Sequence, residues 1–267
     1  MPFNNAQALL RKVLPESAFN GLYQRACNAY DAYIGLYDHI YYRLPRLDRG
    51  DRETMRMLRT AKPHTMTSRE GLTWTLYTVR ETVGYGVHGA FVECGVARGG
   101  CSALMAMVAS KEGRGRNTWL FDSFEGLPPQ TPEDGEQKAI RHKSHTANDL
   151  ATGYCLGTWD DVYDYLFCQI GLNQYEVHLV KGWFQSSLPK HRELIGDIAV
   201  LRLDGDWYES TKCCLENLYS NVVSGGWVII DDYQLPGCKK AVDEYLLSVN
   251  QIPLMYFDAN GRAYWKK

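Results

Sequence analysis

The chain reads as an α/β protein: a doubly wound, mostly parallel sheet with an antiparallel hairpin at one edge, preceded by an N-terminal helical extension. Three observations predict this. From "GAFVECGVARGG" onward, short apolar runs alternate with helical stretches, the pattern of a parallel sheet covered on both faces. The runs are nearly continuous in apolar character, as strands buried on both sides must be. The last two, "IPLMYFD" and "RAYWKK", are joined across "ANG" with no room for a helix, which reads as a hairpin.

Taken in order, residues 1–70 form the extension and 71–267 the main domain. "AFNGLYQRACNAYDAYIGLYDHIYYRL" places Phe19, Leu22, Ala26, Tyr30, Tyr33 (or Ile34), Tyr37 and Ile40 at helical spacing. Its tyrosines suit a helix packed on the core or on a second subunit, with a lid over a ligand as the alternative. "RLPRLDRGDRE" is an exposed charged loop. "TSREGLTWTLYTVRETV" opens with Thr67 or Ser68 as cap and Glu70 close behind, a helix start. The parallel strands are "AFVECG", "TWLFDS", "YEVHLVKG", "IAVLRLDG" and "GWVIIDD". Helices are expected at "GCSALMAMVAS", "DVYDYLFCQIG", "YESTKCCLENLYS" and "CKKAVDEYLLSV".

With 267 residues, 45% of them hydrophobic, the chain can bury one large core. A net charge of −2 gives no basis for nucleic acid or an anionic membrane as partner. No apolar run approaches the ~20 residues that span a bilayer. "MPFNNAQALLRKVLPES" has no apolar core or cleavage site of a signal peptide, so a cytoplasmic protein is expected. The eight cysteines form no CxxC pair and no regular framework, which fits reduced thiols in that compartment.

In such sheets, ligands bind outside the carboxyl ends of the strands. Here each parallel strand ends in a polar or glycine pair: Glu93 and Gly95, Asp122 and Ser123, Lys181 and Gly182, Asp204 and Gly205, Asp231 and Asp232. The glycines at 95, 99 and 100 permit a tight strand-to-helix turn and close approach of a ligand. The stretch is not a dinucleotide fingerprint, because Ala97 takes the place of its middle glycine, and Glu93 would repel a pyrophosphate. A cationic ligand suits it better. Asp122 ends the second strand, where an acidic residue accepts from a ribose diol; it is also placed to cap the following turn. A nucleoside with a cationic group near Glu93 describes S-adenosylmethionine.

Asp204, Asp231 and Asp232 crowd two strand ends. Like charges at close range raise one another's pKa and destabilise the fold, and a divalent cation relieves this. Oxygen ligands without histidine or cysteine favour Mg2+ or Ca2+ over zinc. A cation beside a methyl donor would lower the pKa of an acceptor hydroxyl and fix two oxygens of a vicinal diol or catechol, orientation that contributes several kcal/mol within a ceiling of roughly 7–11 kcal/mol.

Together "FVECGVARGG", "WLFDSFEGLP", "VKGWFQSSLP", "LRLDGDWYEST" and "GGWVIIDDY" resemble the TylF/macrocin O-methyltransferase family, in order and over residues 63–267. The resemblance implies a Rossmann-like class I methyltransferase that uses S-adenosylmethionine and Mg2+ on sugar hydroxyls of secondary metabolites. It implies metal ligands at Asp204, Asp231 and Asp232, with Asp204 also a candidate general base. Glu93, Gly95, Asp122 and Ser123 would contact the cofactor, with Lys181 and Trp183 near its adenine. It further implies a homo-oligomer acting on a small-molecule or glycan hydroxyl. Two features lie outside the match: the tyrosine-rich N-terminus and the segment from "DGEQKAIRHKSHTANDL" onward, where His142 and His145 sit in the expected lid. The rival reading takes Asp204-Gly205-Asp206 as the Asp-x-Asp motif of a metal-dependent glycosyltransferase; a nicotinamide oxidoreductase comes third.

Overall fold

The structure is a computed structural model that describes residues 25, 29, 52–113, 115–135, 153 and 155–267. The tyrosine-rich segment, apart from Arg25 and Ala29, and both His142 and His145 lie outside the described residues. The chain divides into two units, Met1–Met55 and Arg56–Lys267.

Helix α1 (Arg52–Ala61) is followed by α2 (Arg69–Gly84). Ser68 caps α2, its hydroxyl accepting from the Gly71 amide at 3.2 Å, so Ser68 rather than Thr67 is the cap. Then come β1 (Ala90–Cys94), α3 (Gly100–Lys111), β2 (Thr118–Asp122), and α4 (Trp159–Tyr163), which continues as a π-helical stretch over Asp164–Gln169. The second half runs β3 (Val177–Lys181), α5 (Phe184–Ile195), β4 (Ile198–Leu203), α6 (Tyr208–Leu218), β5 (Val222–Ile230), α7 (Pro236–Ser248), β6 (Tyr256–Phe257) and β7 (Ala263–Lys266).

The strands form one sheet in the order β3-β2-β1-β4-β5-β7-β6. The first five are parallel; β7 pairs antiparallel with β5 and with β6, so the hairpin closes the edge as expected. Strand order reverses between β1 and β4, where a crevice opens for ligands. Strand periodicity sorts the side chains. Val92 and Cys94, Leu201 and Leu203, and Val228 and Ile230 join one apolar cluster with residues of α5, α6 and α7. The alternate positions, including Glu93 and its register partner Arg202, turn to the face covered by α2 and α3.

Helix α1, which the sequence reading does not place, begins inside the expected charged loop "RLPRLDRGDRE"; two further elements differ from expectation. Helix α5 occupies Phe184–Ile195, where the sequence reading places no helix; it carries Pro189 inside it. Proline in a helix interior removes one hydrogen bond, yet the buried Ser187, Leu188 and Ile195 hold the helix on the sheet. Strand β5 begins at Val222, ahead of Gly226, where "GWVIIDD" places its start.

Candidate active site

The carboxyl ends of the parallel strands meet along one rim. The ladder continues past each strand in backbone bonds: Gly182 N to Asp122 O at 2.8 Å, Gly95 N to Phe121 O at 2.9 Å, Asp204 N to Cys94 O at 2.8 Å and Asp231 N to Leu203 O at 2.9 Å. Glu93, Gly95, Asp122, Lys181, Asp204 and Asp231, proposed from sequence to share a site, are thus neighbours at the strand ends. Lys181 is exposed and in register with Asp122, and Trp183, 37% exposed, begins α5 beside it.

The turn after β1 is held by Asp122. Its Oδ2 accepts from the amides of Val96 at 2.7 Å and Ala97 at 3.0 Å, and Oδ1 from Phe124 at 2.7 Å. The amides that would greet a pyrophosphate are therefore spent on a carboxylate. Burial raises the Asp122 pKa against these bonds. Ser123 is buried and its hydroxyl accepts from the Glu125 amide at 3.1 Å. Gly95, at φ 96°, has a further reason to be glycine: a Cβ there would lie 1.8 Å from the carbonyl oxygen of Asp204. It makes room for the neighbouring strand end as much as for a ligand.

Glu93 is buried and accepts from Arg202 Nη1 at 2.8 Å and from the Ser102 hydroxyl. Burial pushes its carboxyl up to about 7 against the pull of Arg202 and Ser102. Arg202 is the residue sequence reasoning missed. Fully buried, it also donates through Nη1 to Asp204 Oδ2 at 2.8 Å and through Nη2 to Asp231 Oδ1 at 2.5 Å and Thr67 Oγ1 at 3.3 Å. Arg262, from the β6–β7 turn, donates through Nε to the same Asp231 oxygen at 2.9 Å and through Nη1 to Asp258 at 3.2 Å and to the Ser68 hydroxyl at 3.2 Å. Part of the positive charge that the crowded carboxylates require is built into the protein. The one sequence clue was an arginine inside the otherwise apolar "IAVLRL".

The arginines do not reach all the carboxylates. Asp204, Asp206 and Asp232 each offer an oxygen within 4.8 Å of the others, a spacing that could hold a metal ion. Asp206 thus joins the expected Asp204 and Asp232, whereas Asp231 is engaged by two guanidinium groups through Oδ1. Asp206 sits at φ 56° and its amide donates to Asp232 Oδ2 at 3.1 Å. Burial, then Asp204 and Asp231, push the Asp206 carboxyl up to about 8; burial, then Asp206, Asp204 and Asp231, raise Asp232. Asp204 is raised by burial and Asp231, against Arg202. Such a set is unfavourable when all its members are ionised and nothing further is bound.

A seven-stranded sheet in this order, with an acid-lined glycine turn after β1 and carboxylates at the ends of β2, β4 and β5, defines a class I S-adenosylmethionine-dependent methyltransferase. A family model described as Macrocin-O-methyltransferase (TylF) matches residues 9–267, so the chain belongs to that family. It is 37% identical over 210 residues to demethyldecarbamoylnovobiocin O-methyltransferase of Streptomyces niveus, covering 78% of this chain and 77% of that protein. It is 34% identical to mycinamicin III 3''-O-methyltransferase of Micromonospora griseorubida, over 68% of this chain and 70% of that one. Among solved structures it resembles the O-methyltransferase NovP, at 31% identity and TM-score 0.66, covering 89% of this chain and 98% of that one. The calicheamicin methyltransferase CalS11 shares the fold at 18% identity and TM-score 0.59. The chain is accordingly an enzyme, an S-adenosylmethionine-dependent O-methyltransferase, and the glycosyltransferase and oxidoreductase readings are set aside. No described helix is long and apolar enough to cross a membrane.

Proposed function

We propose that the enzyme methylates a sugar hydroxyl of a secondary metabolite, one that stands next to a second hydroxyl, with a divalent cation at its acidic rim. The observation that carries this is the triplet of carboxylates from Asp204, Asp206 and Asp232 at the ends of β4 and β5, in a chain whose relatives are named for methylation in novobiocin, tetracenomycin and mycinamicin compounds.

The residues fit both absent groups. Oxygen donors alone suit Mg2+, and Asp231 keeps Oδ2 free of both arginines to serve as a further oxygen. The turn after β1 carries Glu93 and Asp122 and spends its amides internally, which suits a cationic sulfonium better than a diphosphate. When bound, S-adenosylmethionine supplies an electrophilic methyl group. When bound, Mg2+ makes the acceptor hydroxyl more acidic and favours two adjacent oxygens.

The chain's own residues do the rest. Glu93, Gly95, Asp122 and Ser123 form the cofactor's side of the crevice. Asp122 Oδ2 already accepts two amides and Oδ1 one, which leaves Oδ1 a second acceptor site for a ribose hydroxyl, and Lys181 and Trp183 border the adenine. Asp204 and Asp232 hold the cation. The acceptor's proton passes to an aspartate of the same triplet. Asp204, the base implied by family resemblance, is bonded to Arg202, which weakens it as a base. Asp206 has no arginine partner among the described residues and stands beside Asp204 and Asp232, so we assign the base to Asp206. The setting is cytoplasmic, in keeping with free thiols at Cys94, Cys101 and Cys214. Self-association is in keeping with the exposed Ile252, Leu254, Tyr256 and Phe257 along the sheet edge.

Titration calorimetry with S-adenosylhomocysteine, in Mg2+ and in EDTA, tests the two halves of the site separately. Saturable binding is expected in both. Methyl transfer to a demethylated sugar acceptor should be lost in EDTA and in Asp206→Asn while cofactor affinity survives. Full turnover in EDTA would remove the cation from the reading.

A further inference from the structure

Arg202 and Arg262 converge on one oxygen, Asp231 Oδ1, at 2.5 and 2.9 Å. Arg202 ties together four separate segments, through Glu93 of β1, Asp204 beyond β4, Asp231 beyond β5 and Thr67 ahead of α2. Arg262 adds the hairpin turn, through Asp258, and the neighbouring hydroxyl of Ser68. Space is kept for both arginines' contacts: a Cβ on Gly71 would lie 2.5 Å from Cγ2 of Thr67, which accepts from Arg202, and 3.0 Å from the Arg262 Cζ. The Nε of Arg202 is buried without a partner, so its bonds all run through the two terminal nitrogens that face the carboxylates.

We propose that Arg202 and Arg262 are positioning residues of the methyl-transfer site, which fix Asp204 and Asp231 so that the remaining oxygens of the rim converge on one cation. The proposal rests on the cation reading above. A planar guanidinium sets the direction of two carboxylates at once, which an ammonium cannot do. A buried ion pair need not add stability, but it does specify one arrangement among many. The arginines thereby hold part of the acidic set from behind and leave Asp206, Asp232 and one side of Asp204 for the front.

Charge and position predict opposite signs, which makes the idea testable. If the arginines were counter-charges only, removing one would leave a more negative rim and tighter cation binding. If they position the carboxylates, removal loosens the rim and weakens binding. The probe is Mn2+, titrated by electron paramagnetic resonance into the full chain with S-adenosylhomocysteine bound. The variants are Arg262→Met, Arg262→Lys and the charge-neutral Gly71→Ala, with Arg202→Lys as a fourth where it folds. We expect Mn2+ affinity to fall at least tenfold in Arg262→Met and several-fold in Gly71→Ala, with Arg262→Lys nearer to Met than to wild type. Far-UV circular dichroism and S-adenosylhomocysteine affinity should stay within twofold, which a general structural weakening would not allow. Unchanged or tighter Mn2+ binding in folded variants overturns the positioning role while the cation reading stands. Failure of the wild type to bind Mn2+ overturns both.

Discussion

Glu93 is held by Arg202 and Ser102, yet it is enclosed so fully that burial dominates and its carboxyl is raised to about 7. An acid whose folded pKa lies above its unfolded value adds stability at low pH. That contribution is complete below about 4.5 and disappears as pH rises through about 7. Without bound ligands, the melting temperature of wild type relative to Glu93→Gln should therefore fall between pH 5 and 7 and level off above; a pH series by scanning calorimetry checks it. Gly95→Ala places a Cβ against the Asp204 carbonyl at positive φ. We expect a loss of about 3 kcal/mol or more by urea denaturation, together with weaker cofactor binding. At this scale the acids were legible from sequence because strand-end carboxylates recur in a pattern. Arg202 was not, because a lone arginine in an apolar strand has meaning only once Glu93 is known to lie across from it. Arg262 was hidden further, since nothing local ties a hairpin turn to a strand end more than thirty residues away.

Among the elements, the strands and most helices could be read because burial on both faces imposes long apolar runs. Helix α5 could not, since Pro189 and the polar "QSS" outweigh its few buried positions locally, and contact with the sheet decides. Pro189 is exposed within the helix, so Pro189→Ala should restore a hydrogen bond. A gain of about 1 kcal/mol or more is expected, seen as a melting temperature higher by a few degrees. The start of α2 has a double duty: the Ser68 hydroxyl caps Gly71 and also accepts from Arg262 and Asn260. Ser68→Ala should therefore cost more than the ~1 kcal/mol of an ordinary cap, measured by urea denaturation beside an Ala substitution at Thr158, which caps only α4.

At the level of the whole molecule, the fold class, the family and the methyl-transfer chemistry were all contained in five ordered motifs, because the sheet brings every strand end to one rim. What the acceptor looks like was not. The segments that would read it, around His142 and His145 and in the tyrosine-rich extension, follow no pattern tied to the sheet. A ligand that binds only the folded chain stabilises it by RT ln(1 + [L]/Kd), about 2.7 kcal/mol at a hundredfold excess over Kd. Mg2+ and S-adenosylhomocysteine should each raise the melting temperature, and their joint effect should exceed either alone. Scanning calorimetry with each ligand and with both provides the check.

The register that sets Glu93 opposite Arg202 also constrains how this sequence can change. Glu93 lost alone leaves Arg202 with two carboxylate partners, Asp204 and Asp231, whereas Arg202 lost alone leaves Glu93 buried without its guanidinium and strips the two aspartates as well, a penalty of about 3–5 kcal/mol or more. The two positions therefore form an epistatic pair, in which Glu93 can change only while Arg202 stays. A chimaera that joins β1 of one relative to β4 of another should fold readily only when both parents carry the same pairing across that seam.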